Sequence, residues 1–70
     1  MTPAEAVLTV LGESDEPLHW TVIQDRALRG GYIDPFQTPD VRVAVLAAVR
    51  ELVADGRAVK TGTGVYAAAG

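Results

Sequence analysis

Apolar positions recur at helical spacing in three stretches of the chain and alternate in a fourth near its end. In the first, Ala4, Val7, Leu8 and Leu11 follow the i, i+3, i+4, i+7 pattern, which lays one stripe against a core. Thr2-Pro3-Ala4-Glu5 opens it with an N-cap threonine, a proline at the first helical position and a glutamate placed for a capping box; Gly12 marks its end. Glu13 to Pro17 reads as a solvated acidic loop, and the apolar-flanked Leu18-His19-Trp20 after it predicts a brief strand. Thr21, with Gln24 three residues on, predicts a second capping box and a second helix. Ile23 and Ala27 face inward, Leu28 flanks them, and Gly30-Gly31 closes that helix.

The connection from Gly31 to Gln37 has no period, and Tyr32, Ile33 and Phe36 are expected to pin it to the core. Thr38-Pro39 repeats the cap-then-proline start, and Asp40 to Asp55 contains neither glycine nor proline, so a third helix of about 17 residues runs to about Gly56. At about 100° per residue, Val41, Val45, Ala48 and Leu52 share its core face, with Ala44 and Val49 at the edges. The opposite side carries Val43, Ala47, Arg50 and Ala54, with Arg42 nearer the flank. Arg57 to Thr61 and Val65 to Ala67 predict two strands joined by Gly62-Thr63-Gly64, whose glycines supply the positive φ of a tight turn. Ala68-Ala69-Gly70 is expected to fray.

Helix, short strand, helix, long helix and two-stranded hairpin is an α+β, mainly α order, the layout of a winged helix-turn-helix. One such domain is expected over 1–70, ordered over about 3–67. The residues also carry a more specific likeness. Ala6 and Leu8 with Leu11, Pro17-Leu18-His19-Trp20 with Ile23, Ala27-Leu28 before a glycine, Thr38-Pro39, Gly56-Arg57 and Gly64-Val65-Tyr66-Ala67 together resemble the HARE-type helix-turn-helix domain. This winged-helix family is shared by certain chromatin proteins, restriction endonucleases and the N-terminal domain of the bacterial RNA polymerase delta subunit. The resemblance spans about Pro3 to Ala67 and consists mostly of packing and turn residues, so it speaks to fold more than to activity. It implies association with DNA or with the machinery of transcription and DNA processing, and it implies no enzyme. The 70 residues include neither an attached catalytic domain nor the acidic tail typical of the delta subunit, so tail-dependent behaviour is not carried over.

Composition narrows the chemistry. With 49% hydrophobic and 21% charged residues, the chain is foldable, and 70 residues hold a single small core. The absence of cysteine removes disulfides, thiolate metal sites and cysteine nucleophiles, and the single histidine, His19, argues against a histidine metal centre. Neither a cofactor nor a metal is expected. No apolar run approaches the roughly 18 residues of a membrane span, and no signal-peptide layout is present, so a soluble cytoplasmic protein is expected. Frequent arginine and alanine suggest a GC-rich bacterial or phage source. The net charge is −3, but all five charged residues from Met1 to Asp25 are acidic, whereas all six bases lie from Arg26 onward among four acids. The negative whole slows approach to DNA, while a local basic surface can still hold it.

Candidate sites follow from that asymmetry. Arg42 and Arg50 of the third helix can hold phosphates in or beside a major groove; the alternative is that they pair with Glu51 and Asp55 on the helix surface. On the hairpin, Arg57, Lys60, Thr61 and Thr63 surround a glycine-flexed tip suited to a sugar–phosphate backbone, or else Lys60 guards a solvated edge strand. His19 reads as a packing or hydrogen-bonding residue, Trp20 as core rather than a stacking platform for bases, and Glu13-Asp15-Glu16 as a solvated turn able to steer a basic partner. Together these predict a small non-enzymatic module in transcription regulation or DNA processing, a monomer or weak dimer that grips double-stranded DNA through its backbone. A continuous positive strip through Arg42, Arg50, Arg57 and Lys60 is required. The alternative is an adaptor docking on RNA polymerase or another nucleic-acid enzyme through the apolar outward face of Val43, Ala47 and Ala54.

Overall fold

The first turn forms where proline and capping chemistry direct it. In the computed structural model, which describes residues 1–69, α1 runs Pro3–Gly12. The Thr2 hydroxyl accepts from the Glu5 N–H at 3.1 Å and the Thr2 N–H donates to the Glu5 carboxylate at 2.9 Å, a complete capping box. The Thr2 N–H, and then the Thr2 hydroxyl, hold the Glu5 carboxyl below its ordinary range. Helix α1 ends at Gly12 without a left-handed residue, so that glycine's freedom goes unused.

Strand β1 is only Leu18–His19, and α2 starts immediately as Trp20–Arg29. The expected Thr21 cap is corrected to His19. Pairing of β1 with β3 holds His19 extended, and the Trp20 N–H donates to the Gly64 carbonyl at 2.9 Å, so the chain turns helical two residues early. The His19 ring takes the capping role, its Nδ1 accepting from the Thr21 N–H at 3.3 Å and lying 2.8 Å from the Thr21 hydroxyl. Helix α2 closes in a Schellman motif, Gly31 N–H to the Leu28 carbonyl and Tyr32 N–H to the Ala27 carbonyl.

The loop to α3 divides the three residues expected to pin it. Ile33 is buried and Tyr32 half-buried, its hydroxyl donating to Glu13 at 2.8 Å; that bond, with lesser burial, raises the phenol's pKa. Phe36 is 98% exposed, contrary to expectation. Asp34 explains it: its carboxylate accepts from the Phe36 N–H and its carbonyl from Gln37 and Thr38, winding a tight turn that aims Phe36 at solvent. With Thr38 drawn into that turn, Asp40 caps α3 instead, accepting from the Val43 N–H at 3.1 Å. Helix α3 is therefore Val41–Ala54, 14 residues, shorter than the spacing predicts. It ends in a second Schellman motif at Asp55-Gly56-Arg57.

Strands β2 (Ala58–Gly62) and β3 (Val65–Ala68) form the hairpin, and β1 adds to its far side, giving a three-stranded antiparallel sheet of order β1-β3-β2. Ala68 is in the strand and Ala69 bonds back to the Arg57 carbonyl, so neither frays; Gly70 lies outside the described residues. Gly62 belongs to β2, leaving a two-residue turn of Thr63-Gly64 in which Gly64 alone has positive φ. The three helices and the sheet share one buried cluster, with Val7, Ile23, Val45, Val49 and Leu52 at 0% exposure. Of the α3 core residues read from periodicity, Val45, Ala48, Val49 and Leu52 are buried, while Val41 and Ala44 lie half-buried at its edge. About half the chain is helical, so the molecule is α+β and mainly α. No described helix is long and apolar enough to cross a membrane.

Candidate nucleic-acid interface

The site grows from one row of the sheet. Tyr66 in the central strand faces Leu18 on one side and Lys60 on the other, and directly opposed residues share a sheet face. The row passes from core to water: Leu18 is buried, Tyr66 half-buried against the core, and Lys60 exposed. Register is what puts Lys60 there. From the Gly62–Val65 pair, regular counting sets Thr61 opposite Tyr66, but a bulge at Thr61 brings Lys60 into that place.

Helix α3 meets the outer end of this row. Arg50, Val53 and Ala54 from the helix, with Lys60 and Tyr66 from the sheet, line an open hollow of about 380 Å³. Arg50 and Lys60 supply its two charges, and no carboxylate lines it. Among the described residues neither has an ion pair within 4 Å. The arrangement offers two cations beside an aromatic ring and an apolar floor, which suits an anionic oxygen cluster carried on a less polar body.

The other predicted residues are placed differently. Arg42, on the first turn of α3, lies over the Trp20 ring with its guanidinium carbon 5.6 Å from the centroid. It stands roughly 12 Å along the helix axis from Arg50, eight residues at about 1.5 Å each. Arg57 is not free: its guanidinium is 3.2 Å from the Asp55 carboxylate, a half-exposed pair that offsets its charge locally. Thr61 occupies the bulge and Thr63 the turn, both exposed. The tip does not stand away from the body, since the Gly64 carbonyl accepts from Trp20 and the His19 ring packs close to Gly64. Of the predicted set, Arg50 and Lys60 are brought to one hollow; the continuous strip expected through Arg42, Arg50, Arg57 and Lys60 is broken, because Arg57 is paired with Asp55 and Arg42 lies over Trp20 away from the hollow.

Two aromatic residues join the cations. The sequence favours Trp20 as core over a stacking platform and gives Tyr66 no site role, yet each is half-buried, with Trp20 under the Arg42 guanidinium and Tyr66 lining the hollow. The alternating Val65-Tyr66-Ala67 run gives Tyr66 a face, but only the bulge gives it Lys60 as a neighbour. Among the described residues there is no group of three His, Cys, Asp or Glu able to hold a metal ion. No family model matches the chain, and no curated protein or solved structure matches it significantly.

Proposed function

We propose that the protein is a winged-helix module that binds duplex DNA through its phosphate backbone, without enzymatic activity, in transcription regulation or DNA processing. The observation that carries this reading is the hollow between α3 and β2, where Arg50 and Lys60 converge without a carboxylate in the lining. The element order and the sheet order β1-β3-β2 support it, because a winged helix arranges its third helix and terminal hairpin side by side in this way. Arg42 adds a cation on the flank of α3, about 80° around the helix from Arg50, whereas Arg57 contributes less because Asp55 faces it.

Three free cations set the expected behaviour. Each phosphate neutralised contributes about −0.9 to the slope of log affinity against log salt, so Arg42, Arg50 and Lys60 together give about −2.7. Between 50 and 200 mM salt, affinity then falls roughly fortyfold. A single module of this size buries roughly 600–1,000 Å², and binding is weak on that account. The test is a titration of labelled duplex DNA at several salt concentrations, following backbone amide shifts. Shifts at α3 and β2 that fade with salt support the reading; no response at low salt overturns it. The outward face of α3 favours a second reading, a protein-interaction adaptor docking on a nucleic-acid enzyme such as RNA polymerase. Val43 is 59% exposed there beside the exposed Ala47 and Ala54.

A further inference from the structure

The hollow that holds Arg50 and Lys60 has a third polar contributor, and its chemistry differs from theirs. The Tyr66 ring is half-buried and packs against the core, which fixes the ring and leaves the phenol end as the wet end of a mostly apolar side chain. Lys60 lies directly across the strand pair on the same face, and Arg50 approaches from α3. The two cations and this hydroxyl-bearing ring thus line one hollow. Val53 and Ala54 complete an apolar floor beside it, suited to the carbon face of a deoxyribose rather than to a second charge.

We propose that Tyr66 is a phosphate-binding residue of this interface, its hydroxyl donating to a backbone phosphate oxygen held by Arg50 and Lys60. This deepens the DNA-backbone reading above and rests on it. Tyrosine is an established type of phosphate donor in protein–DNA contacts, and a rigid ring loses little conformational freedom on binding. A neutral donor differs from a cation in one measurable respect. It strengthens binding without displacing a counterion, so its loss weakens affinity and leaves the salt slope alone.

The experiment compares Tyr66→Phe, Lys60→Met and the unaltered protein on one duplex across a salt series, with thermal unfolding of each recorded alongside. Phenylalanine preserves the packing of the ring, so the melting transition of Tyr66→Phe stays within a few degrees. The expected result is an affinity about tenfold lower for Tyr66→Phe, the scale of a hydrogen bond to a charged group, with an unchanged slope. Lys60→Met instead reduces the magnitude of the slope by about one. DNA binding that is salt-dependent but indifferent to Tyr66→Phe overturns the Tyr66 assignment and leaves the backbone-binding reading standing. A changed slope for Tyr66→Phe also overturns the assignment, because it means the substitution displaced a cation. Absence of any salt-sensitive binding overturns both and favours a protein partner.

Discussion

Gly64→Ala perturbs the point where hairpin, β1 and α2 meet. Gly31, Gly56 and Gly64 share nearly the same backbone, with φ of 74°, 76° and 69°, so an alanine at any of them carries a left-handed penalty of roughly 1–2 kcal/mol. Their surroundings differ. A Cβ at Gly31 or Gly56 meets nothing within 4 Å, whereas one at Gly64 lies 2.9 Å from His19 Nε2 and 3.2 Å from Trp20 Cδ1. The His19 ring can swing away only by giving up its Nδ1 bond to the Thr21 N–H, and a lost N-cap costs about 1 kcal/mol more. Gly64→Ala is therefore expected to destabilise by about 2–3 kcal/mol, against about 1–2 kcal/mol at Gly31 or Gly56. A domain of this length has of the order of 4–10 kcal/mol in total, so the variant should melt roughly 10–20 °C lower. Urea and thermal unfolding, followed by far-ultraviolet circular dichroism and by Trp20 fluorescence, measure this directly. In a His19→Ala background the ring and its cap are already gone, and the penalty at Gly64 should shrink toward the backbone part alone. Equal losses at all three glycines, or a Gly64 penalty undiminished without His19, would refute the steric argument.

Phe36→Ala should change stability by no more than about 0.5 kcal/mol in urea unfolding, because the ring is exposed; a loss of about 3–5 kcal/mol would mean that it packs in the core. Asp40→Ala should cost about 1 kcal/mol through loss of the α3 cap, while Thr38→Ala costs clearly less; the reverse order would restore Thr38 as the cap. Acid titration should expose the first capping box. The Glu5 carboxyl is held below its ordinary value of 4.5, so its contribution is fully present above that pH and is lost as pH falls through the lower folded value. Glu5→Gln should flatten that acid limb of the stability curve, and an unchanged limb would show that other groups set it.

What the chain determined by itself is local. Thr2, Pro3 and Glu5 act on one another within a single turn, so their capping box follows from spacing alone. The helical period of α3 likewise separates buried Val45, Ala48 and Leu52 from exposed Val43 and Ala47, because helix geometry fixes which residues share a face. Gly56 closes α3 by its own left-handed backbone and two neighbouring carbonyls. The expected order of elements rests on such local signals, and the three helices and the three-stranded antiparallel sheet follow that order. Where contacts join distant segments, spacing was silent. His19 caps α2 because β3, some 45 residues away in the chain, holds β1 extended up to that point. Asp40 replaces Thr38 because Asp34 winds the preceding loop, and the same turn sends Phe36 outward. Arg57 is paired with Asp55 by the turn after α3. The candidate interface depends most on tertiary structure: a single bulged residue, Thr61, decides whether Lys60 or a threonine stands beside Tyr66. A side-chain period of two makes a one-residue slip reverse every face, and strand register is set by pairing across the sheet rather than by any residue's own preference.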